Sequence, residues 1–164
     1  MTRLKIFLFV VLIGSLGCSR SGNRRKMSMD HPDISNQKNA VPMEKIDGVY
    51  QIPVEINGVS MHFIFDTGAG MISISETEAL FLYKQGKLTE DDITGSAKFS
   101  DANGNISEGT LINLKEVKIG DRALKNIQAS VAHNLKAPLL IGQSALEKFG
   151  NVMIDYEKKE IVFK

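Results

Sequence analysis

Asn57–Gly58 separates two runs in which apolar residues tend to alternate, Val49–Ile56 and Val59–Phe65, and a stretch of this kind has one simple solution, a tight antiparallel hairpin. The favoured two-residue turn needs positive φ at both central positions, which Asn and Gly tolerate. Pro53 lies inside the first run and cannot donate to a ladder, so its nitrogen must face an unpaired edge. The second run ends directly in Asp66–Thr67–Gly68–Ala69–Gly70. A carboxylate at the end of an apolar strand is costly unless it has partners. Thr67 offers a hydroxyl and Gly68 lets backbone N–H groups come close, so together they can hold Asp66 in one orientation. An ordinary strand-end turn, where Asp and Gly are also common, accounts for the three residues taken alone about as well.

The remaining pattern is of short strands and turns. Met71–Ile74 reads as a strand, and Ser75 with Glu78 forms a capping box that opens a helix whose apolar stripe is Ala79, Leu80, Leu82 and Tyr83. Gly86 stops it, and Thr89–Ile93 predicts a further helical turn. A second hairpin runs from Gly95 to Ser100, turns through Asp101–Ala102–Asn103–Gly104–Asn105 and returns from Ile106 to Ile119. Ala123–Val131 and Leu139–Ile141 are further strands, Ser144 is a cap for a short helix to Phe149, and Val152–Tyr156 with Glu160–Phe163 closes the chain as a hairpin. Many short strands with little helix predict an all-β barrel or sandwich, with no internal repeat.

The first residues read as an address. Arg3 and Lys5 precede the apolar run Ile6–Ile13, which is too short to span a bilayer but has the length of a signal-peptide core. Residues 1–17 are therefore expected to be a signal peptide. Cys18, directly after Gly17, is placed as the lipidation site of a bacterial lipoprotein, although Ser15 stands where such sites usually carry Leu. The alternative is a cleaved secretory signal with an incidental cysteine. Residues 18–44 are polar and broken, and are expected to be a disordered linker, lipid-anchored or free, ahead of a domain over 45–164. The expected location is outside the cytoplasm, either on a membrane facing the periplasm or secreted. A net charge of +1, or −1 once Arg3 and Lys5 are removed, gives no reason for a nucleic-acid partner, and leaves the lipid on Cys18 as the sole membrane contact. With one cysteine in the chain no internal disulfide can form.

The order of motifs narrows this further. An apolar strand leads into Asp66–Thr67–Gly68–Ala69, a later hairpin has the tip Ala102–Asn103–Gly104, and Leu140–Ile141–Gly142 precedes a short helix. The arrangement over roughly residues 45–164 resembles the retropepsin-like aspartic proteases, including their small bacterial members. The resemblance implies a closed acid-protease β-barrel of six-stranded type with one or two short helices. It makes Asp66, Thr67 and Gly68 the active-site triplet, with Ala69 beside them as a substrate-binding position. Ala102, Asn103 and Gly104 become the flap that closes on substrate, and Leu140, Ile141 and Gly142 the structural motif. It also implies a two-fold homodimer acting on a peptide or protein. The chemistry agrees, because hydrolysis of this type needs two carboxylates around one water, and this chain has a single Asp-Thr-Gly. Gly70 and Gln143 depart from viral members, which often carry an acidic residue and an arginine at those places, and Glu76–Ile93 is an insert before the flap.

Other motifs fail on spacing. Gly68–Ala69–Gly70 reaches Ser73 at the sixth position where a dinucleotide loop needs glycine, and Asp101–Asn105 continues to Ile112 where a calcium loop needs glutamate. Ser144 lacks the closing glycine of a nucleophile elbow. His31, His62 and His133 are scattered, so no metal or cofactor is expected. The competing reading is a catalytically silent barrel that binds peptides or an envelope protein; a structural lipoprotein without a cleft is a weaker third.

Overall fold

The computed structural model describes residues 39–101 and 103–164. The signal segment, Cys18, the linker as far as residue 38, His31 and Ala102 lie outside the described residues. Eleven strands follow one another as β1 Ala40–Pro42, β2 Glu44–Ile46, β3 Val49–Ile56, β4 Val59–Phe65, β5 Ile72–Ser75, β6 Ile93–Ser100, β7 Ile106–Ile119, β8 Arg122–Ala132, β9 Leu140–Ile141, β10 Val152–Asp155 and β11 Glu160–Phe163. Two short helices interrupt them, α1 Glu76–Lys84 and α2 Gln143–Phe149, with a 3₁₀ turn at Glu90–Asp92.

Hydrogen-bonded neighbours run from β3 through β4, β9, β5, β8 and β7 and back to β3, so six strands close a ring. β4–β9 and β5–β8 are the parallel pairs. Ile52, Val54 and Ile56 alternate inward along β3 and meet Phe63, Ile72, Ile74, Ile112, Leu114 and Ile127, all fully or almost fully buried. The expected hairpin is present, with Ile56 opposite Val59, Asn57 at φ 50° and Gly58 at φ 83°. Asn57 does more than turn the chain. Its N–H donates to the Glu116 carbonyl at 2.9 Å, its Oδ1 accepts from the Glu116 N–H at 2.9 Å, and its Nδ2 donates to the Lys87 carbonyl at 2.7 Å. It thereby fastens the seam where Glu55 and Ile56 meet Lys118 and Val117. Pro53 falls between two neighbours of β3: pairing with β2 ends at Gln51 and pairing with β7 begins at Glu55, so its missing N–H breaks no ladder.

A second sheet, β1–β11–β10, joins the two ends of the described chain. Ala40 lies opposite Val162 and Val41 opposite Ile161. The linker expected over 18–44 is therefore corrected at its end: β1, held by a strand more than a hundred residues away, and the first residue of β2, paired with β3, already belong to the folded unit. Phe149 of α2 stacks on Phe163 of β11, ring centroids 5.4 Å apart. Arg122 ties the same corner by donating Nη1 to the Phe149 and Lys164 carbonyls.

Two local expectations change. Ser75 caps α1 as foreseen, accepting from the N–H groups of Thr77 and Glu78, but of the proposed stripe Leu82 alone is fully buried. Leu80 and Tyr83 remain about half exposed, at 46% and 49%, because the helix leans on β5 and β8 by one narrow face. The cap of α2 is Gly142 and not Ser144, since the helix already begins at Gln143.

Candidate active site

Asp66 follows the last residue of β4, and three elements hold it there. The Asp66 N–H donates to the Ile141 carbonyl at 3.2 Å, and the Ile64 N–H to the Leu139 carbonyl at 2.8 Å, so the short parallel strand β9 sets the height of the carboxylate. Downstream, the Gly68 N–H donates to Asp66 Oδ1 at 2.8 Å and the Ala69 N–H to the Asp66 carbonyl at 3.3 Å. Asp66 Oδ2 accepts no hydrogen bond among the described residues, leaving one carboxylate oxygen anchored and one available. A Cβ at Gly68 would sit 3.1 Å from Asp66 Oδ1, which explains the small residue. The expected hydroxyl contact from Thr67 is absent; its side chain is exposed, and its carbonyl takes the Gln143 Nε2 donor at 2.7 Å.

Gly142 supplies the third support. The Gln143 N–H donates to the Ala69 carbonyl at 2.8 Å and the Ser144 N–H to the Gly70 carbonyl at 3.1 Å. The first turn of α2 thus spends otherwise unpaired N–H groups on the loop behind Asp66. This close approach requires glycine at 142, where a Cβ would lie 2.4 Å from the Met71 carbonyl oxygen and 2.6 Å from that of Ala69. The two motifs read from the sequence as Asp-Thr-Gly-Ala and Leu-Ile-Gly are therefore one structural object.

The carboxylate opens on a cleft of about 420 Å³, walled by Met43, Tyr50, Ile64, Leu140, Ile154 and Tyr156. Its lining is chiefly apolar, as a groove for extended peptide side chains would be. Tyr50 and Tyr156 pack at 5.4 Å between centroids and join β3 to the turn after β10. These two residues and Met43 were missed in the sequence, because strands far apart in the chain bring them together and no local pattern marks them. No salt bridge reaches Asp66 among the described residues.

The β6–β7 hairpin forms the arm expected to close over substrate. β8 accompanies β7 as far as the Gly109–Ala132 pair, and the arm beyond it, Ala97–Ser100 against Ile106–Gly109, is two-stranded. Its tip is a built turn. Asp101 Oδ1 accepts from the N–H groups of Asn103 and Asn105 and Oδ2 accepts from Asn105 Nδ2, while Gly104 takes φ 83°. The side-chain bond from Asn105, with the backbone donors, holds the Asp101 carboxyl below the ordinary carboxylate value. At the root of β6, Asp92 is buried. Burial alone would raise its pKa, but the Thr89 hydroxyl and N–H and the Lys115 ammonium at 3.1 Å outweigh this and lower it. The insert is thereby pinned to β7.

His62 is exposed on β4, and His133 shares a hydrogen bond of 2.9 Å with Thr110. No group of three or more metal-ligating side chains occurs among the described residues.

The family model for gag-polyprotein aspartyl proteases matches residues 52–148, from β3 to the end of α2. Among solved structures, a retropepsin-like aspartic protease from Rickettsia conorii is similar with a TM-score of 0.57 and 27% sequence identity, over 76% of this chain and 87% of that one. No curated protein matches the chain.

Proposed function

The chain belongs to the retropepsin-like aspartic proteases, and from that membership we propose that it is an aspartic endopeptidase whose working form is a homodimer sharing two copies of Asp66. The observation that carries this is the carboxylate itself: it stands at the wall of an apolar cleft, with one oxygen anchored by Gly68 and the other open. Protease family membership makes the substrate a peptide or protein.

One such loop per chain leaves the second carboxylate to a second copy. Two ionised carboxylates about 3 Å apart would repel by roughly 5 kcal/mol at an effective dielectric of about 20. One of the pair therefore keeps a proton, as in aspartic dyads generally. The ionised Asp66 takes a proton from the water held between them, and the protonated Asp66 donates to the scissile carbonyl. The arm around Asn103 and Gly104 closes on the bound peptide and excludes bulk water. The first 18 residues support a place outside the cytoplasm, with a lipid on Cys18 as the anchor.

The test is peptide cleavage by the full chain from roughly pH 4 to pH 8, the range over which such a dyad changes protonation, beside Asp66→Asn. Loss of at least about a thousandfold in kcat/KM is expected when the carboxylate pair is removed. Equal cleavage by both proteins rules out the mechanism.

A further inference from the structure

Two Asn-Gly pairs occur in the chain, Asn57–Gly58 and Asn103–Gly104, and the structure holds them in opposite ways. In any such pair the glycine nitrogen can reach the asparagine side-chain Cγ, since glycine has no Cβ to obstruct the approach. What differs is how firmly the amide is held. Asn57 is half-buried, with its Nδ2 donating to the Lys87 carbonyl and its Oδ1 accepting from the Glu116 N–H. Freeing that amide means opening the seam between β3 and β7. Asn103 is exposed at the tip of the β6–β7 arm. Its backbone N–H donates to Asp101 Oδ1 at 2.8 Å, but its side-chain amide makes no hydrogen bond among the described residues. The Gly104 N–H donates to the Asp101 carbonyl at 3.0 Å, and that bond has to open before the nitrogen can react. It lies in solvent at the end of a two-stranded arm, where local opening is least costly.

We propose that Asn103 is a site of spontaneous deamidation that alters the tip of the arm, while the fold protects Asn57 from the same reaction. When the turn opens, the Gly104 nitrogen attacks the Asn103 Cγ. A bond forms between these two atoms, the Cγ–Nδ2 bond breaks, and ammonia leaves with the Gly104 amide proton. Water then opens the cyclic imide. Addition at Cγ leaves an aspartate. Addition at the main-chain carbonyl carbon of residue 103 leaves an isoaspartate, in which the side chain has become part of the backbone. Water is the sole co-reactant, and nothing is oxidised or reduced.

Both products place a carboxylate on residue 103, close to Asp101. The Asp101 carboxyl is held below its ordinary value by its donors, so it is ionised at neutral pH and two negative charges come to share the tip. The iso form also inserts a carbon between the N–H of residue 103 and that of Gly104. Asp101 Oδ1 and the Asp101 carbonyl then no longer receive both donors at their present spacing. The effect on activity rests on the reading of this arm as the cover of bound peptide: conversion weakens closure and lowers kcat/KM as the protein ages.

The experiment ages the full chain in mildly alkaline buffer, folded and in denaturant, and maps its peptides by mass spectrometry. In denaturant the two sites should convert at similar rates. In the folded chain Asn103 should convert at least about tenfold faster than Asn57, whose amide must first give up two hydrogen bonds. Asn103→Gln should stop conversion at the tip, because the longer side chain cyclises far more slowly. Over the same ageing kcat/KM of the parent should fall by about fivefold, the worth of one such bond, while Asn103→Gln holds its own starting value. Equal or faster conversion at Asn57 in the folded chain, or none at Asn103, overturns the proposal. Conversion at Asn103 with kcat/KM unchanged overturns its effect on the arm. Asp66→Asn should convert at the parent rate, so the mapping is read without catalysis. Retained cleavage by Asp66→Asn would therefore defeat the protease reading alone.

Discussion

Gly142→Ala should damage both the fold and the site, and the structure sets how much. At φ −98° and ψ 179° the backbone accepts alanine without strain, so the whole effect comes from contact. The new methyl would stand 2.4 Å from the Met71 carbonyl oxygen, and must retreat by about 0.6 Å to reach even the 3.0 Å that Cβ atoms essentially never undercut. Nothing flexible is there to yield, since the obstructing atoms are the carbonyls of residues 69 and 71. Moving that segment stretches the bonds from Gln143 to Ala69 and from Ser144 to Gly70, worth about 1 kcal/mol each. Overpacking adds about 1–3 kcal/mol, for a loss of roughly 3–5 kcal/mol. That corresponds to a fall in Tm of roughly 10–20 °C for a domain of this size. A displacement of up to about 1 Å in the loop that holds Asp66 should lower kcat/KM by about a hundredfold. Gly70→Ala is the matched control, because its added Cβ meets nothing within 4 Å; it should change stability by less than about 0.5 kcal/mol. Denaturant unfolding and peptide cleavage measured side by side decide the matter. Gly142→Ala behaving like Gly70→Ala would refute the close-approach account of the Leu-Ile-Gly motif.

Asp92→Asn should cost about 1–2 kcal/mol at neutral pH, less than a fully buried pair would, because Lys115 is half exposed. The Asp92 carboxyl is held below its ordinary value, so its contribution is present above the ordinary carboxylate range and disappears as pH falls through the lowered folded value. Urea unfolding repeated from neutral to acid pH should show the parent converging on the variant at the acid end. Ser75→Ala removes the acceptor for two N–H groups at the start of α1. It should cost about 1 kcal/mol by thermal unfolding and leave kcat unchanged.

What could be foreseen depended on whether the cause was local. The Asn57–Gly58 turn, the cap at Ser75 and the glycine beside Asp66 were legible, because each rests on backbone demands within a few residues. β1 and β2 were not: Ala-Val-Pro and Glu-Lys-Ile carry no alternation, and β1 exists because β11 offers it an edge. Leu140–Ile141–Gly142 could be recognised by resemblance, but its reason, a helix start pressed against the carbonyls of 69–71, is tertiary. The helix α1 was recognised while its buried face was misjudged, since the apolar residues of its sequence exceed what one narrow contact can cover. The walls of the cleft at Tyr50 and Tyr156 had no signature at all.

Hairpin tips are ordinarily where a protein absorbs inserted residues at small cost. Asn57 removes that freedom here, since its backbone and amide reach both the far strand of the seam and the segment after α1. Lengthening the loop by even one residue would carry those donors out of reach and unfasten the cylinder at a point remote from the cleft. Family variation in length should therefore collect at the α1 insert or the arm's tip, and a split of the chain designed for reassembly would do better between Asp101 and Asn105 than at this outwardly harmless corner.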